Sequence, residues 1–199
     1  IFRTFFGAAA VNYTPSQYHQ FTLQASAFQT DEEETYDIMG EYWLNEINTD
    51  QTMGVGRYME HARNYLKANV QTVSLTGKHY LGSNDLRWGI DWKRESFNDS
   101  QREWELRDSL GYNVPGADGD LRPVYSLKSK TYSESNNFSF YAQDTYKFTN
   151  SIGVISINAG VRVSYWDWNK ECIISPRASI GLIPEFNDNM TFRFATGVY

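Results

Sequence analysis

From Val154 to Tyr199 the chain alternates apolar and polar residues in three successive runs. In the first, Ile155, Ile157, Ala159, Val161, Val163 and Tyr165 share one parity, and Ser156, Asn158, Gly160, Arg162 and Ser164 the other. In the second, Ile174, Pro176, Ala178, Ile180, Leu182 and Pro184 oppose Ser175, Arg177, Ser179 and Gly181. In the third, Met190, Phe192, Phe194 and Val198 oppose Thr191, Arg193, Ala195 and Gly197. A period of two is that of a β-strand, whose successive side chains point to opposite faces. Each run has about the 9–11 residues that a tilted strand needs to cross a bilayer. Apolar-out, polar-in alternation over such lengths marks a transmembrane β-barrel.

Five more strands are predicted upstream: Phe2–Asn12, His19–Thr30, Leu66–Leu81, Leu86–Phe97 and Thr131–Phe148. Within Leu66–Leu81 the apolar phase slips, as a one-residue bulge near Gln71–Thr72 would make it do. Asp144 shares the parity of Phe140, Ala142 and Tyr146, which is the apolar one. Its closeness to Thr149–Gly153 places it at headgroup level, where the penalty for a charge fades. The connections Tyr13–Tyr18, Gly82–Asp85, Thr149–Gly153 and Glu185–Asn189 are short and carry turn residues. Asp31–Arg63 and Asn98–Lys130 are long and polar and read as loops. Short turns on one side and long loops on the other follow the outer-membrane pattern. In this topology both ends of the chain fall on the long-loop side, whereas a complete eight-stranded barrel keeps its termini on the turn side. Residues 1–199 are therefore expected to be a partial barrel domain, about eight strands of a larger antiparallel barrel.

Composition agrees. No run reaches the ~18 apolar residues of a membrane helix, and the mean hydropathy is −0.57. Aromatics make up 16% of the chain, a load that girdles at two membrane interfaces would use. The net charge of −6 and the lack of a basic stripe argue against nucleic acid as a partner. Cys172 is the single cysteine and reads as a bystander. His19, His61 and His79 have no partners at metal-ligand spacing, so neither metal nor cofactor is expected. The acidic run Asp31–Glu34 with Asp37 has the oxygen ligands of a hard-cation site, though a solvated face is the plainer reading. Asp118-Gly119-Asp120 lacks the further ligands of a calcium loop. No nucleophile elbow, P-loop or dinucleotide fingerprint occurs, and no enzyme is expected. Among the loop aromatics, Tyr42, Trp43 and Trp104 are the candidates for stacking against an extracellular ligand.

Several short segments resemble the TonB-dependent outer-membrane receptors. They are Ile174-Ser175-Pro176-Arg177-Ala178-Ser179, Phe192-Arg193-Phe194-Ala195-Thr196-Gly197-Val198-Tyr199, Phe140-Tyr141-Ala142-Gln143-Asp144, Asn158-Ala159-Gly160-Val161-Arg162 and Leu86-Arg87-Trp88-Gly89-Ile90-Asp91. The stretch Glu60-His61-Ala62-Arg63-Asn64-Tyr65-Leu66 is similar to receptors of that family with a carboxypeptidase-regulatory-like N-terminal extension. The resemblance implies a barrel of about twenty-two strands with a plugged lumen. It implies a place in the bacterial outer membrane, with lipid around the barrel. It also implies active uptake of a scarce siderophore, cofactor or glycan, driven by the TonB complex acting on a plug that these residues do not include. Two other classes stay open: a passive porin or structural barrel, and a soluble carbohydrate-binding β-sandwich. The sandwich predicts a second sheet packed on the apolar rows.

Overall fold

The computed structural model describes residues 1–45, 47–48, 51–108 and 121–198. Eight strands form one sheet in chain order: β1 Phe2–Ser16, β2 His19–Asn45, β3 Thr52–Leu81, β4 Asn84–Arg107, β5 Arg122–Asn150, β6 Gly153–Trp166, β7 Glu171–Pro184 and β8 Phe192–Gly197. The described pairings of β5 through β8 are all antiparallel. No second sheet covers either face among the described residues, which removes the packing that a β-sandwich requires.

Three of the four turns on one side are tighter than the sequence suggested, while the fourth, 185–191, is longer. Gln17-Tyr18, Gly82-Ser83 and Ser151-Ile152 each join their strands through two residues. Gly82 sits at φ 64°, the left-handed region such a turn needs and a side chain disfavours. On the other side the expected long loops are mostly strand. β2 continues to Asn45 and β3 begins at Thr52, so Asp31–Arg63 forms a hairpin; β4 and β5 likewise extend into Asn98–Lys130. These extensions are polar on both faces, so apolar periodicity could not show them. The backbone ladder and polar cross-strand pairs hold them instead. The Asp118–Asp120 segment lies outside the described residues.

Exposure along β3 does change phase. Tyr65, Lys67, Gln71 and Val73 are exposed, whereas further on Lys78 and Tyr80 are. The change falls between Val73 and Gly77, but the pairs His19–His79, Asp31–Lys67 and Asp37–His61 keep one register along β2 and β3, so the expected bulge near Gln71–Thr72 is not there.

The chain divides into two compact units. Unit 1 comprises Ile1–Phe5, Gln29–Ala68 and Phe97–Ser133; unit 2 comprises Phe6–Phe28, Asn69–Ser96 and Glu134–Tyr199. Unit 1 has fifteen acidic residues against nine basic, and unit 2 nine against nine, so the whole net charge of −6 belongs to unit 1.

Burial is the unusual feature. Among the described residues the buried apolar side chains are Ala62, Ala68 and Pro184, and no large side chain is fully buried. The chain exposes 14441 Å². A compact globular protein of its 23.0 kDa exposes about 9,600 Å². The rows of Ile, Val and Phe found in the sequence are ordered in strands yet have no protein core to enter.

Candidate functional site

In unit 2 the pairing register assigns the two faces strand by strand. Across β5, β6 and β7 the sets Phe140–Val163–Ile174, Ala142–Val161–Pro176, Tyr146–Ile157–Ile180 and Phe148–Ile155–Leu182 stand in line, with Phe194 and Phe192 continuing the last two on β8. Directly paired residues project on the same side, so these sets make one apolar face. The alternate sets make the other: Tyr141–Arg162–Ser175, Gln143–Gly160–Arg177–Gly197, Thr145–Asn158–Ser179–Ala195 and Lys147–Ser156–Gly181–Arg193. Val154 with Ile183 at the turn end and Ile173 at the other are its apolar exceptions. Within the paired segments from Ser139–Ser164 to the turns, this polar face carries Lys147, Arg162, Arg177 and Arg193 and no carboxylate. A groove of about 490 Å³ on it is lined by Arg87, Lys147, Asn158 and Arg193 together with Asp85. Asp85 accepts two hydrogen bonds from Arg87, at 3.1 and 2.7 Å.

Glycines let large side chains lie flat on the sheet. A Cβ on Gly89 would stand 2.3 Å from the Tyr141 ring, and one on Gly77 2.5 Å from the Trp88 indole. Each aromatic therefore rests on a neighbouring strand's bare backbone.

Asp144 stands opposite Ala159 on the apolar face, as its parity required. Asn84, the first residue after the Gly82-Ser83 turn, donates to its Oδ2. The carboxylate is therefore level with the turn side of the sheet. Its Oδ1 is buried without a hydrogen-bond partner among the described residues. At the other end of β5 the connection Asp167–Lys170 is clamped. Asp167 accepts from the Asn136 backbone N–H at 2.6 Å and from Asn136 Nδ2 at 2.8 Å. Trp92 Nε1 donates to Asn136 Oδ1 at 3.1 Å. The Asn136 backbone bond, then its side-chain bond, hold the Asp167 carboxyl below the ordinary carboxylate range.

In unit 1 the acidic run lies along β2, with its carboxylates turned alternately to two faces. On one face Asp37 bridges His61 Nδ1 and Arg63 Nη2, both at 2.5 Å. The Arg63 hydrogen bond, then that of His61, hold the Asp37 carboxyl low. His61 stacks on Trp104, centroids 4.7 Å apart and planes 8° from parallel. Lys67 approaches Asp31 at 3.8 Å. On the other face Glu103 accepts from Asn64 Nδ2 at 2.5 Å and from the Tyr125 hydroxyl at 3.2 Å, and Asn64 also reaches Glu34 at 3.5 Å. Partial burial, then the charges of Glu34, Glu60 and Glu103, push the Tyr36 phenol up. Asp31, Glu34 and Asp37 are thus spread among cross-strand partners, and no three His, Cys, Asp or Glu converge as metal ligands among the described residues.

The three aromatics chosen from the sequence lie on strands rather than loops and do not converge. Trp104 shares the face of His61 and Asp37. Tyr42 contacts Tyr58, centroids 5.8 Å apart, and both residues are an odd number of positions from Asp37 and His61 on their strands, hence on the opposite face. Trp43, next to Tyr42, is 58% exposed. Sequence reasoning missed the Asp37–His61–Arg63 cluster and the Gly–aromatic pairs, because both arise between strands, where the pattern along one strand carries no signal.

No family model matches the chain, and no curated protein does. Among solved structures it is similar to the ferric citrate transporter FecA in the unliganded form, with 13% identity and a TM-score of 0.36. The similarity covers 98% of this chain and 27% of that one, so the chain spans about a quarter of that structure's length.

Proposed function

We propose that these residues are part of the wall of an outer-membrane β-barrel transporter. The carrying observation is the segregation of faces in unit 2 without any core to receive the apolar one. Burying an apolar face of this kind is favourable by ~25 cal/mol per Å², and a single sheet leaves it to the solvent or to lipid. Unit 2 contributes His19–Phe28 of β2 and Gly153–Trp166 of β6, ten and fourteen residues. Ten residues at about 3.3 Å each, tilted by about 45°, cover about 23 Å, close to the ~25 Å apolar band of such barrels. The polar face, with its arginines, then lines a wet interior.

Within that class the reading is a TonB-dependent receptor: a barrel of about twenty-two strands, plugged, importing a siderophore, cofactor or glycan with energy from the TonB complex. The segments resembling that family support it. A passive porin shares the same wall, and the two differ in whether the lumen is open. Proteoliposomes carrying the full-length protein test this by osmotic swelling in arabinose. The receptor predicts no swelling until the plug is deleted. Swelling of the intact protein at porin rates contradicts the receptor and supports the porin.

A further inference from the structure

The two histidines His19 and His79 meet across β2 and β3 in unit 2, with Nδ1 atoms 2.9 Å apart. Trp88 Nε1 lies 2.9 Å from His79 Nε2. Phe21 packs on both His79 and Trp88, with centroids at 5.3 and 6.4 Å. Gly77, buried beneath the Trp88 ring, leaves room for that ring to lie down toward His79. The two-residue turns Gln17-Tyr18 and Gly82-Ser83 flank the cluster.

The protons in this chain of contacts are fixed by valence. An indole N–H only donates, so His79 Nε2 accepts and carries no proton. A neutral His79 then holds its proton on Nδ1 and donates it to His19 Nδ1. His19 accepts there and keeps its own proton on Nε2. Both hydrogen bonds therefore exist only while both rings are neutral. A proton added to His19 sets N–H against N–H across the 2.9 Å contact. A proton added to His79 Nε2 displaces Trp88. A metal ion shared by the two Nδ1 atoms needs a lone pair from each, and His79 has already committed its only one to Trp88.

We propose that His19, His79 and Trp88 form a proton-sensitive clasp that fastens β2 to β3 and β4 near their turns and opens when either ring gains a proton. Among the described residues the hydrogen-bond partners of the two rings are each other and Trp88, with no carboxylate among them to hold an imidazolium in place. On the same face the nearest titratable groups of neighbouring strands are Tyr13, stacked on Phe21, and Asp144, which is bound to Asn84. Lys78 and Tyr80 on β3, and the Asp85–Arg87 pair on β4, flank the cluster on the opposite face. The clasp needs no assumption about the transported ligand.

Hydrogen exchange on the full-length protein in detergent tests it, followed by mass spectrometry of peptides covering His19–Thr22 and Thr76–Leu81. Rates are corrected for the intrinsic pH dependence of exchange. From about pH 8 to about pH 5.5, the wild type is expected to lose about fivefold to tenfold protection there, the loss of one net hydrogen bond. The double variant His19→Gln with His79→Gln removes the step. Trp88→Phe shrinks it, because His79 Nε2 is then free to take the proton while Nδ1 still donates to His19. The proposal is overturned if Trp88→Phe keeps the full wild-type step, if the double variant keeps it, or if zinc at pH 8 protects the wild type but not the double variant. Trp88→Phe alone decides the matter if the double variant does not fold.

Discussion

Gly77 shows how much of this sheet turns on single atoms. The Trp88 indole occupies the space of its missing side chain, 2.5 Å from where a Cβ would stand. Gly77→Ala must lift the ring, and with it the Trp88–His79 hydrogen bond. The expected cost is about 1–3 kcal/mol, the range for overpacking a well-filled site, read as a lower unfolding midpoint with altered Trp fluorescence. Asp167 works by charge instead. Its carboxyl is held below the ordinary value by Asn136, so its contribution is complete above the unfolded carboxylate range near pH ~3.9. That contribution fades as the pH falls through the lower folded value. Asp167→Ala should therefore lower the unfolding midpoint at pH 7, and the gap to wild type should close in strong acid. A gap that persists unchanged at about pH 2 would show that the clamp does not depend on ionised Asp167.

At the scale of the strand, the two faces of β6 call for opposite responses to charge. Arg162 already stands on the polar face, opposite Ser175, while Val161 beside it stands opposite Pro176 on the apolar one. Val161→Arg is expected to cost about 2–4 kcal/mol if that face meets the bilayer midplane, and Ser164→Arg much less. Folding of the variants into lipid vesicles, titrated with denaturant, checks the ratio. The same contrast explains what could be read without coordinates. β6, β7 and β8 were legible because one face is apolar but for Thr196, so a period of two survives in the sequence. The far halves of β2 and β3 were not, because Asp37 and Glu34 on the one, and His61 and Asn64 on the other, put polar residues on both parities. There the strand is held by pairs between neighbours, which no single-strand pattern reveals. The candidate aromatics suffered for the same reason. Trp104 was found by its type, but its partner His61 lies on another strand, and Tyr42 faces the other way.

For the molecule as a whole, the excess negative charge gathers in unit 1, and unit 2 is neutral. A neutral, apolar-faced sheet with no core of its own should aggregate in water and remain dispersed in detergent. Sedimentation of the purified protein across the critical micelle concentration checks that. The central claim is that one face of unit 2 touches lipid and the other touches water. Its most direct test places single cysteines at 159 through 164 of the full-length protein in a Cys172→Ser background, each carrying a spin label in lipid vesicles. Collision with oxygen, which concentrates in lipid, should peak at 159, 161 and 163, and collision with a water-soluble nickel chelate at 160, 162 and 164. Labels at 159, 161 and 163 shielded from both agents would mean that protein covers the apolar face, and would contradict the account.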